Sequence, residues 1–226
     1  MLELTQYKLV KGAFFMNGLD YQRIFHEIKN TITLINSSMQ LLDQRCSQLK
    51  TELYWDNIKN EITYLKNMVL EISKAGSMEQ LQKDSVDLNS IVLDLCRFMK
   101  DSYSDLKWKL NLSEELPCVY ADQIKLKQAV LNLIKNSAEA GSTYVIIETH
   151  AAGSHIQIAI IDNGGGISAE LVDKVFDLFT TSKKQGSGLG LAITKQIIEC
   201  HDGTLELNNQ PGKGCTFTIE LPAAAL

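Results

Sequence analysis

Two apolar stripes at helical spacing dominate the first third of the chain. Phe25, Ile28, Ile32, Ile35, Met39 and Leu42 recur at intervals of three or four residues, and Trp55, Ile58, Ile62, Leu65, Val69 and Ile72 repeat the pattern. An α-helix turns once every ~3.6 residues, so each stripe occupies one helix face. The connection from Asp43 to about Tyr54 is short and polar, which predicts an antiparallel hairpin. Two helices cannot bury both stripes between them. The usual solution is a four-helix bundle, made here by two chains. Such stripes are more often structural than catalytic, so they leave the function undecided.

The stretch Gly76–Asp84 (GSMEQLQKD) breaks the pattern and predicts a domain boundary: a helical hairpin over 1–76, a linker over 77–84 and a second domain over 85–226. In that second domain the spacing predicts helices over Leu88–Ser102, Asp122–Ala140 and Leu189–Cys200. Strands are predicted over Lys107–Leu112, Tyr144–Thr149, His155–Ile161, Thr204–Leu207 and Thr216–Leu221. Strands and helices interleave without regular β-α-β spacing, which points to an α/β sandwich with helices on one face and an α+β class for the whole.

Composition excludes several classes. The net charge of -5 gives no footprint for general nucleic-acid binding. The five cysteines are odd in number and form no C-x-x-C pair, the pattern of reduced thiols rather than a disulfide framework or zinc site. Apolar runs fall well short of the ~18 residues of a membrane span, and charges interrupt the apolar residues of the first 18 positions. These features predict a cytoplasmic protein, or a soluble piece of a larger one.

Three constellations in the second domain carry chemistry. Asn132 and Asn136 lie four apart on one predicted helix face, with Lys135 and Glu139 beside them. An amide oxygen is a hard, neutral ligand that Mg²⁺ accepts, and Lys135 can reach a phosphate. By itself the pair more often marks a solvated helix face. Next, Asp162 closes the strand IQIAII and opens Asn163-Gly164-Gly165-Gly166. Its carboxylate can accept from an exocyclic amine such as that of adenine, and the glycines let the backbone approach a ligand; equally, the segment reads as a tight turn with an Asp cap. Third, Gly186-Ser187-Gly188-Leu189-Gly190 opens a helix, and a helix N-terminus with exposed amides cradles phosphate. No Walker loop and no dinucleotide fingerprint is present. Before it, Phe176 and Phe179 are followed by Thr181 and Lys183. That order suits a mobile lid whose threonine and lysine face phosphates, although the two aromatics also fit a plain core.

The order of these parts resembles the asparagine, first glycine, phenylalanine and second glycine boxes of the histidine kinase ATP-binding domain. The tail Gly214–Pro222 looks like that family's closing strand. The resemblance covers about Asp122 to Pro222 and implies a Bergerat-type α/β sandwich. It assigns Mg²⁺ to Asn136 with Asn132 assisting, adenine to Asp162, and phosphates to the Gly186–Gly190 loop. Phe25-His26-Glu27-Ile28-Lys29-Asn30 in turn resembles the family's phosphoacceptor box, H-E-x-x-N. A neutral imidazole is a nucleophile near pH 7, and Glu27 can hold its other nitrogen. His26 is thus the implied acceptor, and Asn30 matches the position that orients a hydrolytic water. The family commonly has proline where this chain has Thr31, so the helix here is expected to be straighter. The wording of both boxes is loosely similar to sporulation-type kinases.

The resemblance implies a dimeric, Mg-ATP-dependent autokinase that passes phosphate to a response-regulator receiver domain. Two alternatives stay open: a Bergerat-fold ATPase or serine kinase with a helical dimerisation arm, and a phosphotransfer scaffold with a vestigial ATP site.

Overall fold

The computed structural model describes residues 18–45, 55–56, 58–60, 62–63, 65, 69, 81–183 and 186–224, with residues 18–27 and 45 described by backbone alone. The chain divides into two compact units, Met1–Glu79 and Gln80–Leu226.

In the first unit, α1 (Gly18–Arg45) runs unbroken through Thr31. The described residues between Trp55 and Val69 are also helical. Near the end of α1, Asp43 Oδ1 accepts from Trp55 Nε1 at 2.8 Å. Lys59 lies 2.8 Å from Asp56 and 4.0 Å from Asp43. The second helical stretch therefore begins against the end of the first, as a hairpin requires. Each stripe splits into two rows with sevenfold spacing. Ile32, Met39, Trp55 and Val69 are buried, while Ile28, Ile35, Leu42, Ile58 and Leu65 are exposed. The side chains of Phe25 and Ile72 and the connection 46–54 lie outside the described residues.

The second unit opens with β1 (Asp84–Val86) and α2 (Leu88–Ser102), followed by β2 (Lys107–Leu112), β3 (Val119–Ala121) and α3 (Gln123–Glu139). Then come β4 (Tyr144–Ala152), β5 (His155–Asp162), the short α4 (Ala169–Val172), α5 (Gly190–Glu199), β6 (Thr204–Gln210) and β7 (Gly214–Pro222). Five strands form one sheet in the order β2-β4-β5-β7-β6. The β2–β4 pair is parallel and the others antiparallel. β1 and β3 pair separately, with Asp84 opposite Ala121, so Asp84, read from the sequence as the end of a linker, lies in a strand of this unit.

Alternation builds the core. Ile147 and Phe217 flank Ile160 across the sheet, and Ile158 faces Ile219; all five are buried. Onto that face pack Leu126, Ala129, Val130, Leu133 and Ile134 of α3 and Ile197 and Ile198 of α5, all at most 1% exposed. Each fully buried aliphatic side chain stabilises the fold by about 1.5–3 kcal/mol. The starts of α2 and α3 are fixed by acidic caps. Asp87 accepts from the Asn89 and Ser90 amides, and Asp122 from those of Ile124 and Lys125, contacts worth about 1 kcal/mol each.

Asp122 also anchors α3 to the end of α5. Its amide donates to His201 Nε2 at 2.9 Å, while His201 Nδ1 lies 2.7 Å from the Ile197 carbonyl. An amide only donates and a carbonyl only accepts, so the ring is neutral with its proton on Nδ1. Burial pushes His201 below its ordinary pKa, against the Ile197 carbonyl, which raises it.

Candidate functional site

The C-terminal half of α3 carries the first cluster. Lys183 Nζ, from the segment before the glycine-rich loop, donates to Asn136 Oδ1 at 3.0 Å and to Glu139 Oε2 at 2.7 Å. Glu139 Oε1 accepts from Tyr103 OH at 3.2 Å and lies 3.6 Å from Lys135 Nζ. Partial burial opposes ionisation of Glu139. The Lys183 and Lys135 charges and the Tyr103 hydroxyl outweigh it and hold the carboxyl below its usual range. A neutral amide oxygen and a carboxylate thus converge on one cationic atom. That donor set suits a hard divalent cation such as Mg²⁺, with phosphate and water oxygens completing its shell.

Asn132, one turn earlier, faces α5. Its Nδ2 donates to Thr194 Oγ1 at 2.9 Å, and that hydroxyl donates to the Gly190 carbonyl at 2.9 Å. A Cβ at Gly190 would stand 2.6 Å from Asn132 Oδ1, so glycine there lets the first turn of α5 close onto α3. Asn132 therefore ties the glycine-rich loop to the helix that bears Asn136.

Asp162, 5% exposed, ends β5. Its Oδ1 accepts from the amides of Gly164 at 2.9 Å and Cys215 at 3.3 Å. These bonds hold the carboxylate in place through Oδ1. The close approaches of the following glycines are to the protein itself. A Cβ at Gly164 would stand 2.6 Å from Ala140 Cβ, and one at Gly166, whose φ is +67°, 2.7 Å from the Gln210 carbonyl. Asn209, which the sequence did not single out, closes the same turn by pairing both ends of its amide with the Ile167 backbone at 2.8 Å. Gly214, in the closing strand, has no room for a side chain, which would run into the Asp162 carbonyl.

In the glycine-rich loop, the Ser187 hydroxyl accepts from the Leu189 amide at 3.3 Å, and Leu189 is 1% exposed. Gly188, with φ +67°, presses against the Phe179 and Thr180 backbone, and a Cβ at Gly186 would stand 2.6 Å from Thr181 Oγ1. Phe176 lies under Lys195, whose Nζ is 5.4 Å from the ring centroid. Phe179 is 36% exposed, so core packing does not account for it.

In the first unit, His26 and Glu27 belong to α1, but their side chains lie outside the described residues. Asn30 is exposed on the same helix, one turn on from His26. Among the described residues no group of three or more His, Cys, Asp or Glu side chains forms a metal cluster, and no described helix is long and apolar enough to cross a membrane.

Residues 121–225 match the family described as histidine kinase-, DNA gyrase B- and HSP90-like ATPases. Sporulation kinase B of Bacillus subtilis (strain 168) is 32% identical over 207 residues, covering 88% of this chain and 48% of its own length. The chain thus spans about half the length of that relative. The full-length structure of ShkA in complex with AMPPNP superposes with a TM-score of 0.73, covering 93% of this chain and 47% of that one at 19% identity. The histidine kinase ThkA in complex with the response regulator TrrA gives a TM-score of 0.64 at 25% identity, over 89% of this chain and 60% of that one. The chain belongs to the sensor histidine kinases, with its ATPase-type domain in the second unit.

Proposed function

We propose that this chain is the kinase core of a two-component signalling protein. The second unit binds ATP with Mg²⁺, and the γ-phosphoryl group passes first to His26 and then to an aspartate of a response-regulator receiver domain. The observation that carries the reading is the convergence of Asn136 and Glu139 on one cationic atom, in a unit of the ATPase family that also buries Asp162 at a strand end.

Each residue has a role in this reading. Asp162 Oδ2 accepts from the adenine amine. Asn136 holds Mg²⁺, with Asn132 assisting. Lys135, Thr181 and Lys183 face phosphates, and the backbone of Gly186, Ser187, Gly188, Leu189 and Gly190 cradles them at the start of α5. Gly164 and Gly166 shape the turn that holds Asp162 in place. When bound, Mg²⁺ neutralises charge on the phosphate oxygens. A ring nitrogen of His26 attacks the γ-phosphorus as the bond to the ADP oxygen breaks, and the ring proton passes to Glu27. Positioning and charge stabilisation supply most of the rate. Asn30 orients water for hydrolysis of the phosphorylated receiver.

The receiver as partner is supported by ThkA, solved with its response regulator. A homodimer is supported by the exposed rows Ile28, Ile35 and Leu42 on α1 and Ile58 and Leu65 on the second stretch. Packing two hairpins through these rows makes a four-helix bundle. The cysteines described are free, in keeping with a cytoplasmic protein.

The test is incubation with γ-labelled ATP and Mg²⁺, comparing the wild type with His26→Gln. Acid-labile, base-stable label that vanishes in the variant is the expected result. Label that persists in the variant, or resists acid, would favour the serine-kinase alternative.

A further inference from the structure

Lys183 does more than lie near a phosphate site. Its ammonium bonds to the two oxygen donors that a divalent cation would need, at 3.0 Å from Asn136 Oδ1 and 2.7 Å from Glu139 Oε2. An ammonium and a divalent cation compete for the same oxygens, since both are satisfied by hard acceptors. They cannot hold Asn136 together. We infer that Lys183 is a built-in surrogate for the metal: without nucleotide it pins the segment around residues 179–183 to α3, and the cation arriving with the phosphates displaces it and releases the segment. The inference rests on the reading of Asn136 as a metal-binding side chain.

The local backbone is built for such a movement. Phe179 has a φ of 66°, rare for a residue with a side chain, and Gly188 a φ of 67°. These two positions touch, since a Cβ on Gly188 would run into the backbone of Phe179 and Thr180. Phe179, Thr180 and Gly188 therefore form one clamped base beside Lys183. Towards the tip, the Lys183 amide donates to Thr181 Oγ1 at 3.0 Å, and the Gly186 amide donates to the Lys183 carbonyl at 3.1 Å. These bonds tie the Lys183 backbone to Thr181 and Gly186, so loss of the ammonium contact is felt by the segment and not by the side chain alone.

The contact is also suited to being reversible. The Lys183 and Glu139 side chains are 41% and 31% exposed, so water screens the pair and helps to exchange it. Lys135, 3.6 Å from the other Glu139 oxygen, and the Tyr103 hydroxyl, at 3.2 Å from it, remain when Lys183 departs. Glu139 is therefore never left bare, and the release costs little.

Amide hydrogen exchange on the full chain tests the inference, read on peptides covering Phe179–Gly190. Wild type and Lys183→Met are compared without nucleotide and with saturating Mg·ADP, which avoids turnover. Without nucleotide the variant is expected to exchange roughly two- to fivefold faster, the range set by a partly exposed ion pair. With Mg·ADP, which lacks the γ-phosphate that the released Lys183 would face, the two proteins are expected to exchange alike. Equal rates without nucleotide would overturn the pin. A difference that persists with Mg·ADP would overturn the displacement. Calorimetry of Mg·ADP binding to Asn136→Ala separates this from failure of the underlying reading. Unchanged affinity there would remove Asn136 as a metal side chain, and the displacement with it, while the nucleotide-free comparison would still report whether Lys183 pins the segment to Glu139.

Discussion

Replacing Asp162 by Asn is a sharp test of adenine recognition, because the structure separates the two oxygens of this carboxylate. Oδ1 accepts from the Gly164 and Cys215 amides. An asparagine keeps an oxygen there and places an NH₂ where Oδ2 was. The fold loses little, but the adenine amine now meets a donor. A hydrogen bond to a charged acceptor contributes about 1.5–3 kcal/mol, and an opposed donor left without a partner costs a further 1–3 kcal/mol or so. A combined loss near 3 kcal/mol corresponds to a weakening of about 100-fold in the dissociation constant. A 6-oxo purine presents an acceptor at the same place and is spared that loss. The assay is calorimetric titration with Mg·ADP and Mg·IDP for wild type and variant, alongside urea unfolding of each. The expected result is a ratio of ADP to IDP affinity that falls by at least tenfold while the unfolding midpoint stays close to that of the wild type. An unchanged ratio would refute the placement of adenine on Oδ2. A collapse of stability would show that both oxygens are structural.

Two further outcomes follow from the geometry. Ile35 is 44% exposed on α1; Ile35→Lys is expected to weaken self-association by roughly tenfold or more, since a twofold-symmetric contact presents the lost surface twice. Sedimentation analysis over a range of concentrations checks this, and an unaltered dimer would rule out that row as the contact. His201 is held neutral by burial, so its folded pKa lies below the ordinary 6.5. As pH falls through 6.5 the unfolded chain takes up the proton first, and stability is lost until the folded pKa is reached. Urea unfolding midpoints measured from pH 7 to 5 are expected to drop in the wild type and to be flatter in His201→Gln; parallel profiles would contradict this. The carboxylates with lowered values, Asp87, Asp122 and Glu139, start from 3.8 to 4.5 and titrate below that window.

The helices and the long strands were legible because their signals are local. Asp122 caps α3 from the position immediately before its first turn, and the apolar residues of β5 face the sheet's own period of two. β1 and β3 were not legible: three residues carry no periodicity, and their pairing joins Asp84 to Ala121 across the intervening chain. At the site, the residue types were readable and the partners were not. Nothing near Asn132 in sequence points to Thr194, 62 residues on, and nothing near Asn136 points to Lys183, 47 residues on. The glycines illustrate the same limit. Their spacing signals a close approach but not what approaches. At Gly164, Gly166 and Gly190 the structure answers with Ala140, Gln210 and Asn132 of the protein itself.

The sheet order carries a consequence for solubility. β2 and β6 are its outermost strands, and an unpaired strand edge is a template on which a second copy can add. The exposed positions of β2 are Lys107, Lys109 and Asn111, and those of β6 are Thr204, Glu206, Asn208 and Gln210. Two copies meeting along β2 would set like charges against each other, and two meeting along β6 would gain no apolar surface. The ATPase-type unit thus discourages edge-to-edge stacking, so in the proposed dimer attraction between copies falls to the helices of the first unit. Breaking the helical contact should therefore release well-behaved monomers rather than aggregates.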